Sequence, residues 1–304
     1  MKDNWQVISR KSIDDKAWNE CIKTSSTPLI YALTYYLDAI HPGWKGLVLM
    51  EGKGYHAVIP LTVRKVLNIP LLFHPIFAQQ LGVFGKNDID TYQLLIDKFP
   101  FINYQGNTGE HILDKEHPGI TWRTNVVKPL TSEAEVMKGY NQNRKRDIKK
   151  AVKAGLTISD IKDCRVIIDL FKSTKGKEVK DFKSVQYKRL YHMVLALQQR
   201  GQVHLSGVYD AKGMLVSGGI FTLYKKRITF LFGTSSAAGK KSGAMTYLLH
   251  EMIKAYADTY HLFDFEGSDI EGLKKYYKSF GGKVEPYPLY YSNNLPWLLK
   301  MIIR

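Results

Sequence analysis

LFDFEGSDIEGLKKYYKSFGGK, residues 262–283, is the stretch whose reading decides the fold. Its apolar opening, Leu262 to Phe265, predicts a short strand. A polar turn follows, and then a helix of one to three turns that stops at a double glycine. Ser268 and Glu271 stand at capping-box spacing, in which two side chains satisfy orphan backbone donors at a helix start. Gly281 and Gly282 supply the left-handed conformation that ends the helix. The arrangement puts Tyr276 and Tyr277 on a rigid helix just beyond a strand end, where catalytic groups of open α/β sheets collect.

YYKSFG (276–281) resembles the aromatic-Tyr-x-x-x-Gly segment that ends many N-acetyltransferases of the GNAT superfamily. The longer run FDFEGSDIEGLKKYYKSFGG resembles the C-terminal signature of the FemAB-like branch. The best-known members of that branch transfer amino acids from aminoacyl-tRNA to peptidoglycan precursors. The resemblance implies an α/β chain (a mixed, α+β sheet) with a GNAT-like acyltransferase fold in two tandem halves. It implies transfer of an acyl or aminoacyl group from an activated donor to an amine, with a cell-envelope precursor as one candidate acceptor. The donor would be a co-substrate, acyl-CoA or aminoacyl-tRNA, with no tightly bound cofactor.

The totals agree with a folded chain. At 304 residues there is room for one large domain or two of ordinary size, and 44% apolar residues are ample for a core. No apolar run approaches the roughly 18–20 residues that cross a bilayer. MKDNWQVISR at the start lacks the apolar centre of a signal peptide. Cys21 and Cys164 make neither a disulfide framework nor a zinc site, and the nine histidines form no ligand pattern, so no metal is assigned. These features place the chain in the cytoplasm, with the inner face of the membrane as an alternative. Lys and Arg outnumber Asp and Glu 44 to 28, a net charge of +16. Such a surplus favours an anionic partner, whether RNA, nucleotide, phospholipid or a phosphorylated or lipid-linked carrier.

Along the chain, helices are predicted at 14–23 and 31–40, a hairpin over 47–63, strands at 69–73 and 76–84, and a helix at 89–98. One or two strands fall within 101–125. Thr131-Ser132 opens a helix reaching Gly155, with Gly139 and Tyr140–Asn143 as points where it breaks in two. Helices near 163–174 and 185–199 lead into an antiparallel meander at 203–210, 214–224 and 228–234. A helix at 242–258, the strand at 261–265, the helix at 270–280 and a strand near 286–291 complete the order. The resemblance assigns residues 131–304 to a C-terminal GNAT domain and 1–130 to a degenerate GNAT-like half. The helical arm with which some relatives hold tRNA has no counterpart here.

NRKRDIKKAVKAGL (143–156) carries six basic residues against one Asp. Helical spacing puts Arg146, Lys149, Lys150 and Lys153 on one face and turns Ile148 and Val152 to a core. A solvated charged face is one reading. The resemblance supplies the other: an arginine of the segment holds the phosphate of the acceptor, with Arg146 first, Arg144 second and Lys150 nearby. Arg suits this, since its planar fork grips two phosphate oxygens.

In acetyl-CoA-using relatives a glycine-rich loop before the next helix cradles the pyrophosphate. Here that place holds Lys240, Lys241, Ser242, Gly243 and Ala244, but Met245 stands where a second small residue is expected. The resemblance makes Tyr277 the acid that protonates the leaving group, in a place where aminoacyl-transferring relatives carry a lysine; Lys278 follows it. Packing on a short helix is the plain alternative for both tyrosines. Asp264 and Glu266 alternate with Phe263 and Phe265, so a strand would aim both carboxylates to one side. They are candidate bases for the attacking amine, or partners of nearby lysines. LPWLLKMIIR (295–304) either docks on the core or lies in a membrane interface. A rival to catalysis remains: a GNAT-fold module that binds nucleic acid or an anionic membrane surface through the basic helix and tail.

Overall fold

The computed structural model describes residues 5–52, 54–85, 90–112, 114–177, 182–267 and 269–301. In chain order the elements are β1 (Trp5–Ser9), α1 (Asp15–Thr24), α2 (Thr34–Ile40), β2 (Lys45–Glu51), β3 (Gly54–Leu61), β4 (Val63–Val66), β5 (Ile69–Phe73), β6 (Phe84–Gly85), α3 (Thr91–Ile96) and β7 (Phe101–Gln105). There follow β8 (Ile120–Pro129), α4 (Gln142–Lys153), β9 (Thr157–Asp160), α5 (Arg165–Ser173), α6 (Ser184–Gln198), β10 (Val203–Tyr209), β11 (Leu215–Tyr224) and β12 (Arg227–Ser235). The chain closes with α7 (Ala237–Ser242), α8 (Ala244–Tyr256), β13 (Leu262–Asp264), α9 (Glu271–Lys278), β14 (Lys283–Asn293) and α10 (Trp297–Lys300).

Two compact units result. One holds the residues up to Arg123 together with those from Pro286 onward; the other is Thr124–Glu285. The expected division put everything from 131 to 304 in the second half. The difference lies in β14, whose residues Leu289 to Asn293 pair antiparallel with β7 of the first unit.

In the first unit β1, β2, β3 and β6 form an antiparallel sheet. The chain leaves it at buried Thr62, whose hydroxyl donates to Phe73 O, and enters a second set of strands. There β4 pairs antiparallel with β5, and β5 parallel with β7 through the crossover that holds α3. The strand expected over 76–84 is a loop up to Phe84. Side chains replace the ladder: Asn107 Nδ2 donates to Leu81 O and to Val83 O, both at 2.8 Å, and Gln80 Oε1 accepts from Thr108 N–H. Backbone groups bonded this way have no need of a sheet partner. At the end of the chain Leu295 and Leu299 dock against Leu71 and Phe101, while Trp297 and Leu298 are exposed.

The second unit is a mixed sheet in the order β8–β13–β12–β11–β10–β9. β9 to β12 run antiparallel, β12 and β13 parallel through the helices α7 and α8, and β13 antiparallel to β8. Both units therefore share a plan: helices, antiparallel strands, then a β-α-β step that makes one parallel pair. In the second unit Phe221, Phe263, Phe265 and Phe280 fill the core with Leu248 and Ile253 of α8. Each such ring contributes about 2–3 kcal/mol through burial.

The long helix expected from Thr131 breaks as its glycine allows. Ser132 makes no side-chain cap, and a single 3-10 turn (Glu133–Glu135) follows it. Gly139 then takes φ +83°, and a Cβ there would stand 3.2 Å from the Gly281 Cα. Two main chains cross at these glycines, and Asn141 N–H donates to Ser279 O at 3.0 Å. Asn141 caps α4 by accepting from Arg144 N–H. On α4 Ile148 and Ala151 enter the core as the helical period demands, but Val152, expected there too, is 59% exposed. The helix of the signature starts at Glu271 with Ile270 as N-cap; Ser268 lies outside the described residues. Cys21 and Cys164 are buried free thiols.

Candidate active site

β12 and β13 are partners for only three registers: Arg227 with Leu262, Ile228 with Phe263, and Thr229 with Asp264. Beyond Asp264 the chain turns aside. Phe265 N–H donates to Val126 O at 3.0 Å, Glu266 N–H to Asp264 Oδ1 at 2.8 Å, and Gly267 N–H to Asn125 Oδ1 at 2.9 Å. Glu266 takes φ +50° in this turn. β12 meanwhile runs on to Ser235, so its edge from Phe230 to Ser235 faces no strand on that side among the described residues. On its other edge the register with β11 slips: Ile220 opposes Phe232 and Phe221 opposes Phe230, leaving Leu231 as an extra residue. Such a bulge re-aims main-chain groups, and an open strand edge is a template for an extended ligand.

A cavity of about 290 Å³ lies at the end of that edge. Ser235 of β12, Met245 and Thr246 of α8, and Leu273 and Tyr276 of α9 line it with Arg144 of α4. Gly243 joins α7 to α8 at φ +78°, and a Cβ on it would stand 2.9 Å from Asp147 O. Only glycine lets α4 approach the helix junction so closely.

The sequence model of a family described as an acetyltransferase (GNAT) domain matches residues 139–279, which hold α4, the meander, the open edge and this cavity. Residues 139–279 are thus similar to a GNAT domain. No curated protein matches the chain. Among solved structures the chain is similar to FemX (13% identity, TM-score 0.67, covering 98% of this chain and 99% of that one). It is also similar to the C-terminal domain of a putative lysylphosphatidylglycerol synthetase from Agrobacterium fabrum (13%, 0.55, 91% of each chain). A tandem GNAT protein from the clavulanic acid biosynthesis pathway is similar at 10% identity and TM-score 0.53, over 95% of this chain and 98% of that one. The chain has a mixed α/β fold shared with FemX and with the tandem GNAT protein.

Within residues 139–279 Arg144, not Arg146, reaches the cavity. Its guanidinium pairs with Asp147 Oδ2 at 2.9 Å, donates to Thr246 Oγ1 at 3.3 Å, and lies over the rings of Tyr276 and Phe280. Its Nε is buried and has no hydrogen-bond partner. Arg146 and Lys150 are exposed on the outer face of α4, where Arg146 donates to Asn143 Oδ1. The ordering of the two arginines is reversed by the helix phase: three residues before Asp147 is the position that faces α8.

The predicted donor loop is a helix. Ser236 caps α7 by accepting from Gly239 N–H, Lys240 N–H donates to Ser236 O, and Gly243 N–H to Lys240 O. Lys240 and Gly243 line the cavity; Lys241 is exposed, Ser242 donates to Gly239 O, and Ala244 is buried in the core. Met245 packs on the face of β12, its Cε 3.1 Å from where a Gly233 Cβ would be.

Of the two tyrosines, Tyr276 faces the cavity, its hydroxyl 3.0 Å from Thr246 Oγ1. Tyr277 stacks on Phe265, with ring centres 5.1 Å apart and planes within 19°. Burial raises both phenols, with Tyr276 and Glu266 adding to the rise at Tyr277 and Arg144 opposing it at Tyr276. Both therefore stay protonated near neutral pH. Lys278 is exposed and lines a separate hollow with Lys274 and Lys275.

The two carboxylates do not share a strand face, because β13 ends at Asp264 and Glu266 sits in the turn. Asp264 is fully buried and pairs with Arg227 Nη1 at 2.7 Å, an arginine distant in sequence and not one of the nearby lysines expected. Glu266 is half-buried beside Tyr277. Thr246, Asp147 and the bulge at Leu231 were not singled out in the sequence. Asp147 three residues after Arg144 was the one usable signal, as an ion pair at helical spacing. No described helix is long and apolar enough to cross a membrane.

Proposed function

We propose that the chain transfers an acyl or aminoacyl group from an activated ester or thioester to an amine. The β12 edge from Phe230 to Ser235, opened by the turn after Asp264 and ending in a cavity, carries this reading. An extended donor laid on that edge would pair with its main chain. Backbone N–H groups at the Leu231 bulge would stabilise the oxyanion that forms as the amine attacks. Attack is direct, so no nucleophilic side chain is required.

Arg144, oriented by Asp147, would hold an anionic part of the acceptor. Tyr276, bonded to Thr246, would donate a proton to the leaving oxygen or sulfur. Glu266 would take the proton released by the amine. Lys150 and its neighbours on α4, with Lys278, would draw an anionic substrate toward the site.

The helical form of 237–242, with Met245 lining the cavity beside it, favours an aminoacyl ester over a coenzyme A thioester, since neither leaves a glycine-rich cradle. The name of the lysylphosphatidylglycerol synthetase joins an amino acid to a phospholipid, which supports an aminoacyl group as the one transferred and an acceptor at a lipid surface. Residues 295–304 would then offer peripheral membrane contact through the exposed Trp297 and Leu298.

Thermal unfolding with acetyl-CoA, a long-chain acyl-CoA, aminoacyl-tRNA and uncharged tRNA, each alone, tests the reading. A donor that binds the native state raises the midpoint by an amount that grows with the logarithm of its concentration over Kd. Stabilisation by aminoacyl-tRNA beyond uncharged tRNA is the expected result; indifference to every donor would remove the assignment. The exposed lysines of α4 favour one rival, a non-catalytic nucleic-acid module. That rival predicts equal binding of charged and uncharged tRNA, lost in moderate salt.

A further inference from the structure

The first unit contains a cavity that the proposed transferase site does not use. It measures about 380 Å³, within the range of roughly 300–1,000 Å³ usual for small-molecule sites. It lies in the corner where the chain passes at Thr62 from the first sheet of this unit to its second set of strands. Leu61 and Val63, on either side of that crossover, both line it, and Phe99 adds an aromatic wall. Leu61 is fully buried and Phe99 only 6% exposed, so the inner part of the cavity is apolar.

The remaining polar lining is basic. Lys45, Lys65 and Lys98 line the same cavity, and none of its lining residues is acidic. The three come from separate elements. Lys45 sits on β2 opposite Leu61, Lys65 on β4 opposite Pro70, and Lys98 follows α3. Lys65 and Lys98 are exposed and Lys45 half-buried, which sets the cations toward the mouth and the aliphatic groups behind them. None of the three ammonium groups is held by a hydrogen bond or ion pair among the described residues. Val63 and Lys65 point to one side of β4, two residues apart, so a single short strand supplies both an apolar and a cationic contact.

We propose that this corner is a binding site for a single-chain carboxylate, of the class of a medium-chain fatty acid. Its tail would lie against Val7, Val63 and Pro70, backed by buried Leu61 and Phe99, and its head between the three ammonium groups. Lysine ammoniums act on such a head as point charges. Apolar burial would supply most of the affinity and the charges would select an acid over an alcohol of equal length. The site is independent of the transferase reading and survives its failure.

Calorimetric titration of the full chain with sodium decanoate, below its micellar concentration, tests this directly. Saturable one-to-one binding is expected, with 1-decanol bound at least tenfold more weakly and acetate not at all. The double variant Lys65→Gln/Lys98→Gln changes only exposed side chains, so it retains the fold, and should weaken decanoate at least tenfold. Absence of decanoate binding, equal affinity for acid and alcohol, or an unaffected double variant would each overturn the proposal. So would sedimentation with phosphatidylglycerol vesicles that needs the two lysines while decanoate does not bind; the lysines would then serve a bilayer surface.

Discussion

The guanidinium carbon of Arg144 lies 4.4 Å from the centre of the Tyr276 ring. The two residues are far apart in the chain, on α4 and α9, and Thr246 of α8 touches both, at 3.3 and 3.0 Å. A cation held over an aromatic face and paired with Asp147 keeps one orientation, and this is what an anchor for an anionic group requires.

Replacing Arg144 by Lys keeps the charge and loses the fork. Turnover of an anionic acceptor should fall at least tenfold, mainly through KM. Arg146→Ala, on the exposed face, should change either constant less than twofold. Steady-state kinetics on the two variants decide between them; equal losses would show that α4 acts only through its overall charge.

Tyr276→Phe removes the cavity hydroxyl and should lower kcat at least tenfold without changing the thermal midpoint by more than a few degrees. Tyr277→Phe keeps the ring that stacks on Phe265, and its kcat should stay within threefold. The opposite pattern would return the proton-donor role to Tyr277.

Met245→Ala would clear the cavity wall over Gly233. Acetyl-CoA affinity, measured by calorimetry, should rise at least fivefold in this variant. No gain would mean that the helical form of 237–242, and not the methionine, closes the site to coenzyme A.

A pH effect is built into the first unit. Burial raises the Glu110 carboxyl to about 7, against hydrogen bonds from Thr91 Oγ1 and Val83 N–H that favour its charged form. The folded pKa is above the unfolded one, so its contribution to stability is complete below about 4.5 and is lost as pH rises through 7. The span corresponds to roughly 3 kcal/mol at most. His74 and His250, each lowered to about 4 by burial, act in the reverse sense: their contribution is present above about 6.5 and lost on acidification. Comparison with Glu110→Gln cancels the histidines. The variant should be little changed at pH 5 and more stable than the native chain at pH 8, by urea unfolding at both values. A difference that does not vary with pH would show that Glu110 stays ionised in the fold.

The residues of 262–283 made the fold legible because strand, turn and helix-stopping glycine each leave a local mark. The meander was legible for the same reason, its strands being joined by tight turns. What escaped depends on contacts distant in sequence. The loop at 74–83 reads as a strand by its apolar run, and only Asn107 and Gln80 explain why it is not one. Arg144 and Arg146 are equivalent in composition and differ only in helix phase against α8. Tyr276 and Tyr277 could not be ranked without knowing which faced Thr246. Asp264 and Glu266 alternated correctly as a strand until the turn at Glu266 broke the alternation.

The pairing of β14 with β7 makes the first unit discontinuous: its last strand is synthesised after the whole of Thr124–Glu285. On the ribosome β7 must wait with a bare edge while 162 residues are made, an interval of about 10–30 s at ordinary elongation rates. A chain cut short before Pro286 would release the second unit with its own strands intact and leave that edge permanently unpaired. Premature termination would thus produce a sticky product instead of a merely shorter one, because β14 is what covers that edge.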